Sequence, residues 1–271
     1  ESSYRNLIRC FGVDEDLIRL NVYANNEERD IIDEPVYKSI NKKTISFEGT
    51  NKNATLMQTG SSVVDSRAYM IGTNEITPWT VEGSFIFPKQ IDPSTTIKSS
   101  LFGASTTGLP YPAADQSQLV FNVSAVKYEK NDSIAYFKLT SSAGLFTEIT
   151  SSYYPQVYNN SNWNLAVIVS KESGIPLSDI DTDGYKIEFI GKEYDLDTLR
   201  NSFHITSSIT QTNYEAWSKY NKSFYMGAER QNLTGTVLTP ADTRGLFLNV
   251  WTDKLSHNEI RQHAINPDNY G

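Results

Sequence analysis

The chain of 271 residues contains one cysteine, Cys10, three histidines and three methionines. One thiol cannot close an internal disulfide or build a cysteine zinc cluster, so a cystine-stapled scaffold and a zinc finger are both excluded. His204, His257 and His263 form no H-E-x-x-H pair, and no G-x-S-x-G elbow accompanies them. His257 and His263 stand six apart and do not share a helix face, so all three histidines are expected at the surface. No apolar run approaches the ~20 residues of a bilayer span, and no membrane insertion is expected. Long basic runs are missing too. The 24 Lys and Arg face 32 Asp and Glu, a net charge of −8, so nucleic acid is not an expected partner. "LFGASTTG" has the glycines of a phosphate loop but neither its lysine nor a following helix.

What is present favours strands. Hydrophobic residues make up 38% and aromatics 12%, enough for a sizeable core, and tyrosine outnumbers phenylalanine. Ser, Thr and Asn are abundant, which suits strands and turns better than helices. That abundance also explains the Asn-x-Ser/Thr triplets at Asn53, Asn122, Asn131, Asn159, Asn221 and Asn232 as near the chance number. From residue 44 onward, short β-branched and aromatic segments follow one another: "TISFEG", "ATLMQ", "WTVEGSFIFP", "SSLFGAS", "QLVFNVSAVKY", "IAYFKLT", "GLFTEIT", "WNLAVIVSK", "YKIEFIG", "SFYMGAE" and "GLFLNVWT". Gly, Pro, Asn and Asp separate them, the spacing of an all-β sandwich or barrel. In "QLVFNVSAVKY", Leu119, Phe121, Val123 and Ala125 share one face. Trp79, Trp163 and Trp251 sit in strand patterns and are expected in the core.

The two ends differ from this pattern. Residues 1–43 read as an arm. "SYRNLIRCFG" has the apolar stripe of a short helix, "DLIRLNVYA" alternates like a strand, and a charged stretch broken by Pro35 follows. At the other end, "SHNEIRQHAIN" predicts a helix. Ser256 and Glu259 form a capping box, Ile260 and Ala264 share a face, and Pro267 stops the pattern.

The strand landmarks, taken in order, resemble concanavalin A-like, laminin-G-type jelly rolls. They run from "ISFEGTNKNATL" through "PWTVEGSFIFPK", "NWNLAVIVSKES" and "YKIEFIGKEYD" to "SFYMGAE" and "GLFLNVWTDKLSHNEIRQH". The resemblance covers residues 44–271 and implies a single jelly-roll sandwich with a closing helix. It also implies that Gly191 marks a hairpin turn. Residues 4–26, "YRNLIRCFGVDEDLIRLNVYANN", resemble the opening segments of virion structural proteins in large tailed bacteriophages. Together these imply a non-enzymatic structural or interaction module on a virion surface, decorating a capsid or part of a tail. Its partners would be other proteins of the assembly, and cell-surface glycans. Two alternatives stand beside this one: a lectin-like module of a secreted or cell-surface protein, and a jelly-roll polysaccharide-degrading enzyme.

Four stretches could carry chemistry. "SDIDTDGYKIEF" alternates Asp179, Asp181 and Asp183 before Gly184, as a calcium loop begins. An EF-hand needs a glutamate where Ile190 stands, so that loop is excluded. Three carboxylates and a glycine bend could still hold calcium, the one cofactor the sequence offers; otherwise they form an acidic turn between strands. In "EYDLD", Glu193, Asp195 and Asp197 alternate as the carboxylates of jelly-roll glycosidases do. An Asp stands where those enzymes end in Glu, and "DLDTLRNSF" reads as a helix start, so no catalytic residue is expected. Finally, sugars stack on exposed aromatic rings. "SSYYPQVYNN" offers Tyr153, Tyr154 and Tyr158, and "NYEAWSKYNK" offers Tyr214, Trp217 and Tyr220, of which one helical turn would bring Tyr214 and Trp217 together.

Overall fold

The computed structural model describes residues 10, 43–48, 52–57, 70–71, 75–76, 78–89, 96–105, 119–130, 132–141, 144–171, 184–195, 198–214 and 223–266. The chain divides into two units, Glu1–Asn41 and Lys42–Gly271. In the first unit only Cys10 is described, helical and exposed, so the expected arm lies outside the described residues.

In the second unit β1 (Ile45–Ser46), β2 (Asn53–Met57), β3 (Met70–Ile71) and β4 (Glu75–Ile76) precede the long strands. These begin with β5 (Trp79–Phe87), β6 (Lys98–Ser105) and β7 (Leu119–Lys127), followed by β8 (Ala135–Thr140), β9 (Ile149–Thr150) and β10 (Ser161–Lys171). The series ends with β11 (Tyr185–Asp195), β12 (Thr198–Ile209), β13 (Ser223–Gly227), β14 (Glu229–Arg230), β15 (Val237–Thr239) and β16 (Arg244–Trp251). Helix α1 (His257–Ile265) closes the described chain. One six-stranded sheet has the order β1-β16-β5-β10-β11-β12, the other β2-β13-β6-β7-β8-β9. Pairing in both is antiparallel. This is a two-sheet antiparallel sandwich of the jelly-roll kind that the sequence resemblance implies. Among the described residues no helix is long and apolar enough to cross a membrane.

Alternation explains the layering. Along β8, Ala135, Phe137 and Leu139 are buried while Tyr136, Lys138 and Thr140 are half-buried. The inward set packs with Phe87, Phe121, Val123, Trp163 and Phe189 between the sheets. Each such side chain contributes roughly 1.5–3 kcal/mol when withdrawn from water. Strand β10 instead reads as a continuous apolar run, because both its faces are covered. Trp163, Leu165, Val167 and Val169 face the core, while Ala166 and Ile168 meet Ile190, Leu255 and Ile260 beneath α1. The helix is capped as expected. Ser256 Oγ accepts from the Glu259 N–H at 3.2 Å, and Glu259 Oε2 accepts from the Ser256 N–H at 2.6 Å.

Two local expectations fail. The stretch read as a helix start at "DLDTLRNSF" is the beginning of β12, which pairs with β11 along its length. Phe203 and Ile205 are packed against the core, and this cross-strand pairing outweighs the capping signal of the aspartates. Gly191 is not at a turn but inside β11, opposite Phe203. A Cβ there would lie 2.1 Å from Phe203 Cε1. The missing side chain is the space into which the Phe203 ring packs, among Trp163, Phe137, Tyr154 and Phe189.

The sandwich also buries charge. Lys127, at the end of β7, is 1% exposed and pairs with Asp242 at 2.7 Å. Tyr158 donates to the other Asp242 oxygen at 3.0 Å, and the Lys127 ammonium lies 4.2 Å from the centre of the Tyr158 ring. Burial, then the Asp242 charge, holds the Tyr158 phenol well above its ordinary value, so it stays a donor.

Candidate functional site

The expected ligand residues separate. Asp179, Asp181 and Asp183 belong to residues 172–183, outside the described residues, as does Trp217. Residues 172–184 connect β10 to β11, whose last pairing is Lys171 with Tyr185. Tyr214 is a correction. It is 2% exposed and lies 4.4 Å from the Tyr185 ring, where burial drives its phenol up. A short turn after β12, with the Tyr214 N–H bonded to the Thr210 carbonyl, tucks the ring into the core instead of offering it to a sugar. Tyr154 is half-buried against Trp163 at 5.0 Å, and burial raises its phenol too. Its hydroxyl donates to the Ser202 carbonyl at 3.3 Å.

Tyr153 is different. It is 53% exposed and touches two further tyrosines. Tyr136 meets it at 4.9 Å and 71°, and Tyr128 at 5.6 Å and 80°. Both contacts are edge-to-face, the favoured geometry for aromatic pairs. Tyr136 points outward from β8 because its neighbours Ala135 and Phe137 point in. Tyr128 follows β7, with its N–H on the Ile134 carbonyl, and is 62% exposed. Lys138, two residues along β8 on the same face, carries an ion pair to Glu148 at 2.7 Å. The result is a ridged aromatic patch bordered by a hydrogen-bonding ion pair, on the outer face of the second sheet.

The outer face of the first sheet gathers all three histidines: His204 and His257 are exposed, as expected, and His263 departs from that expectation. His263 is buried, its Nδ1 2.7 Å from Glu82 Oε1 of β5, on the helix that packs over β10 and β11. Trp251 donates to the same Glu82 oxygen at 3.0 Å and stacks on the His263 ring. Burial raises the Glu82 carboxyl; His263, Trp251 and Asn249 pull it partly back. A second carboxylate, Glu188 of β11, is 2% exposed and serves as a hub. His204 Nε2 of β12 lies 2.8 Å from its Oε2, and His257 Nε2 of α1 lies 3.4 Å from the same atom. Lys186 and Lys254 approach the other oxygen at 3.0 and 3.4 Å. Burial alone would raise the Glu188 carboxyl, but bonds from Lys186 and His204 and the two ammonium charges bring it to about 2.

The alternating carboxylates "EYDLD" are occupied by β12. Asn201 donates to Glu193 at 2.6 Å, and Arg200, at a bulge in the pairing, bonds Asp195. Burial raises the Glu193 carboxyl, partly offset by Asn201 and Arg200. Asp197 is outside the described residues.

No family model matches the chain, and no curated protein matches it. Solved structures do resemble it. A native heptameric SAP-like pentraxin from Limulus polyphemus is 12% identical over 79% of this chain and 82% of its own, at a TM-score of 0.38. Domains LG4-5 of the mouse laminin alpha1 chain are 7% identical over 85% of this chain and 48% of theirs, at 0.38. A Trypanosoma rangeli sialidase is 14% identical over 87% of this chain and 29% of its own, at 0.43. No activity or ligand passes from these proteins to this chain on likeness of that degree.

Proposed function

We propose that this chain is a non-enzymatic binding module whose ligand is a carbohydrate, held on the Tyr128, Tyr136 and Tyr153 patch. One observation carries the reading. Most large rings among the described residues are withdrawn into the core, yet two of these three tyrosines are more than half exposed and all three are linked by contact. Exposed rings that pack on one another are held in place before a ligand arrives, which lowers the ordering cost of binding. Tyrosine offers an apolar face for the C–H side of a sugar and a hydroxyl for its polar rim. Lys138 and Glu148 beside the patch supply a donor and an acceptor. The engagement of Glu193 and Asp195 with β12 supports a binding rather than a cleaving role.

The test is a glycan-array screen of the full chain beside Tyr153→Ala and Tyr128→Ala. Binding by the parent that falls at least tenfold in both variants supports the reading. Retention in both variants moves the ligand elsewhere, and no binding by the parent removes it. The location proposed with this function is the exterior of a phage particle, on the likeness of residues 4–26 alone. Removing residues 1–43 should then abolish incorporation while the sandwich stays folded, and normal incorporation would sink it.

A further inference from the structure

Glu188, His204 and His257 come from three different elements, β11, β12 and α1, yet their ligand atoms lie within 4.8 Å of one another. Both imidazole Nε2 atoms aim at the same carboxylate oxygen, at 2.8 and 3.4 Å. In a tetrahedral zinc site with bonds of about 2.0–2.2 Å, neighbouring ligand atoms sit about 3.3–3.5 Å apart, so small rotations of exposed rings would bring the three into that arrangement. The two rings meet edge-to-face at 4.4 Å, a packing that keeps both Nε2 atoms on one side. We infer that these three residues form a divalent transition-metal site of the two-histidine, one-carboxylate type, taking Zn2+ in preference to Ca2+.

The donor set decides the metal. Imidazole nitrogen suits zinc, copper and nickel, whereas calcium takes six or more oxygens. The carboxylate is already oriented for one-oxygen ligation, because Lys186 and Lys254 occupy Oε1 and leave Oε2 turned to the imidazoles. The site has an open side, since the His204 and His257 side chains are 40% and 51% exposed. Water, or a donor atom from a bound partner, would complete the coordination there. The two ammonium groups also repel a cation, so the site is of moderate affinity and is tightened by removing one of them. Once loaded, the metal ties α1 to β11 and β12. The site lies on the first sheet, and the tyrosine patch on the second, so the two readings stand or fall separately.

The experiment uses the full chain without an affinity tag, stripped with chelator and titrated with Zn2+ by calorimetry and with Co2+ by visible absorption. One equivalent is expected, with the absorption bands of tetrahedral cobalt. His204→Ala and His257→Ala should each lower zinc affinity at least tenfold while leaving the far-ultraviolet dichroism unchanged. Lys186→Gln should raise the affinity, an effect that a merely structural lysine would not produce. His263→Ala reports whether the buried histidine is the true ligand. No binding in the parent, or binding unchanged in both His204→Ala and His257→Ala, overturns the assignment. Equal affinity for Ca2+ overturns the choice of metal.

Discussion

Replacing Lys127 with methionine removes one partner from a buried ion pair and keeps most of the side-chain volume. Asp242, whose side chain is 10% exposed, would keep the Tyr158 hydroxyl at 3.0 Å but lose the Lys127 ammonium at 2.7 Å. Breaking one side of such a pair costs about 3–5 kcal/mol, because the survivor is a buried charge without compensation. The retained phenol bond places this case at the lower end, about 3 kcal/mol. A domain of this size loses about 2–4 °C of Tm per kcal/mol, so the expected fall is about 6–12 °C. Urea denaturation followed by fluorescence measures the same change as a shift in midpoint at constant slope. Lys127→Met with Asp242→Leu removes both charges and should recover most of the loss. A single variant within about 1 kcal/mol of the parent would refute the reasoning. So would a double variant no better than the single, since the cost would then come from packing and not from the stranded carboxylate.

Other perturbations test other levels of the fold. Gly191→Ala places a methyl where the Phe203 ring lies and should cost about 1–3 kcal/mol by overpacking, with Phe203→Leu restoring part of it; thermal melts of the three proteins decide. At the start of α1, bonds from the Ser256 backbone and side chain hold the Glu259 carboxyl below its ordinary value. That contribution is complete above the ordinary glutamate range and is lost as pH falls through the lower folded value. The parent should therefore lose stability relative to Glu259→Gln as pH falls through and below the ordinary glutamate range, and parallel curves would contradict the cap assignment.

The helix cap was legible because every atom of it lies within four residues, and the long strands because their alternation is local. Strand β12 was not, since an edge strand needs few apolar residues, and its threonine and arginine after an aspartate in the sequence mimic a helix start. Gly191 could be read as special but not as a packing hole, because Phe203 reaches it only through the β11 to β12 register. The same register brings His204 beside Glu188, and no sequence spacing announces that a helix will then lay His257 on the same carboxylate. Tyr153 was visible in its loop. Its partners could have been found by folding "VKYEKNDSIAY" into a hairpin, which sets Tyr128 and Tyr136 on one face.

The strand order carries a consequence for synthesis. Strand β16 lies between β1 and β5, and β13 lies between β2 and β6, so each sheet sandwiches a late segment between two early ones. A ribosome delivering this chain from its amino end therefore exposes one edge of β5 until residue 251 has emerged, and one edge of β6 until residue 227. Neither sheet can be completed in order of emergence, and loop closure must span most of the domain before these pairings form. The nascent chain is thus an aggregation-prone intermediate for most of its translation, and its folding is completed from the carboxyl side.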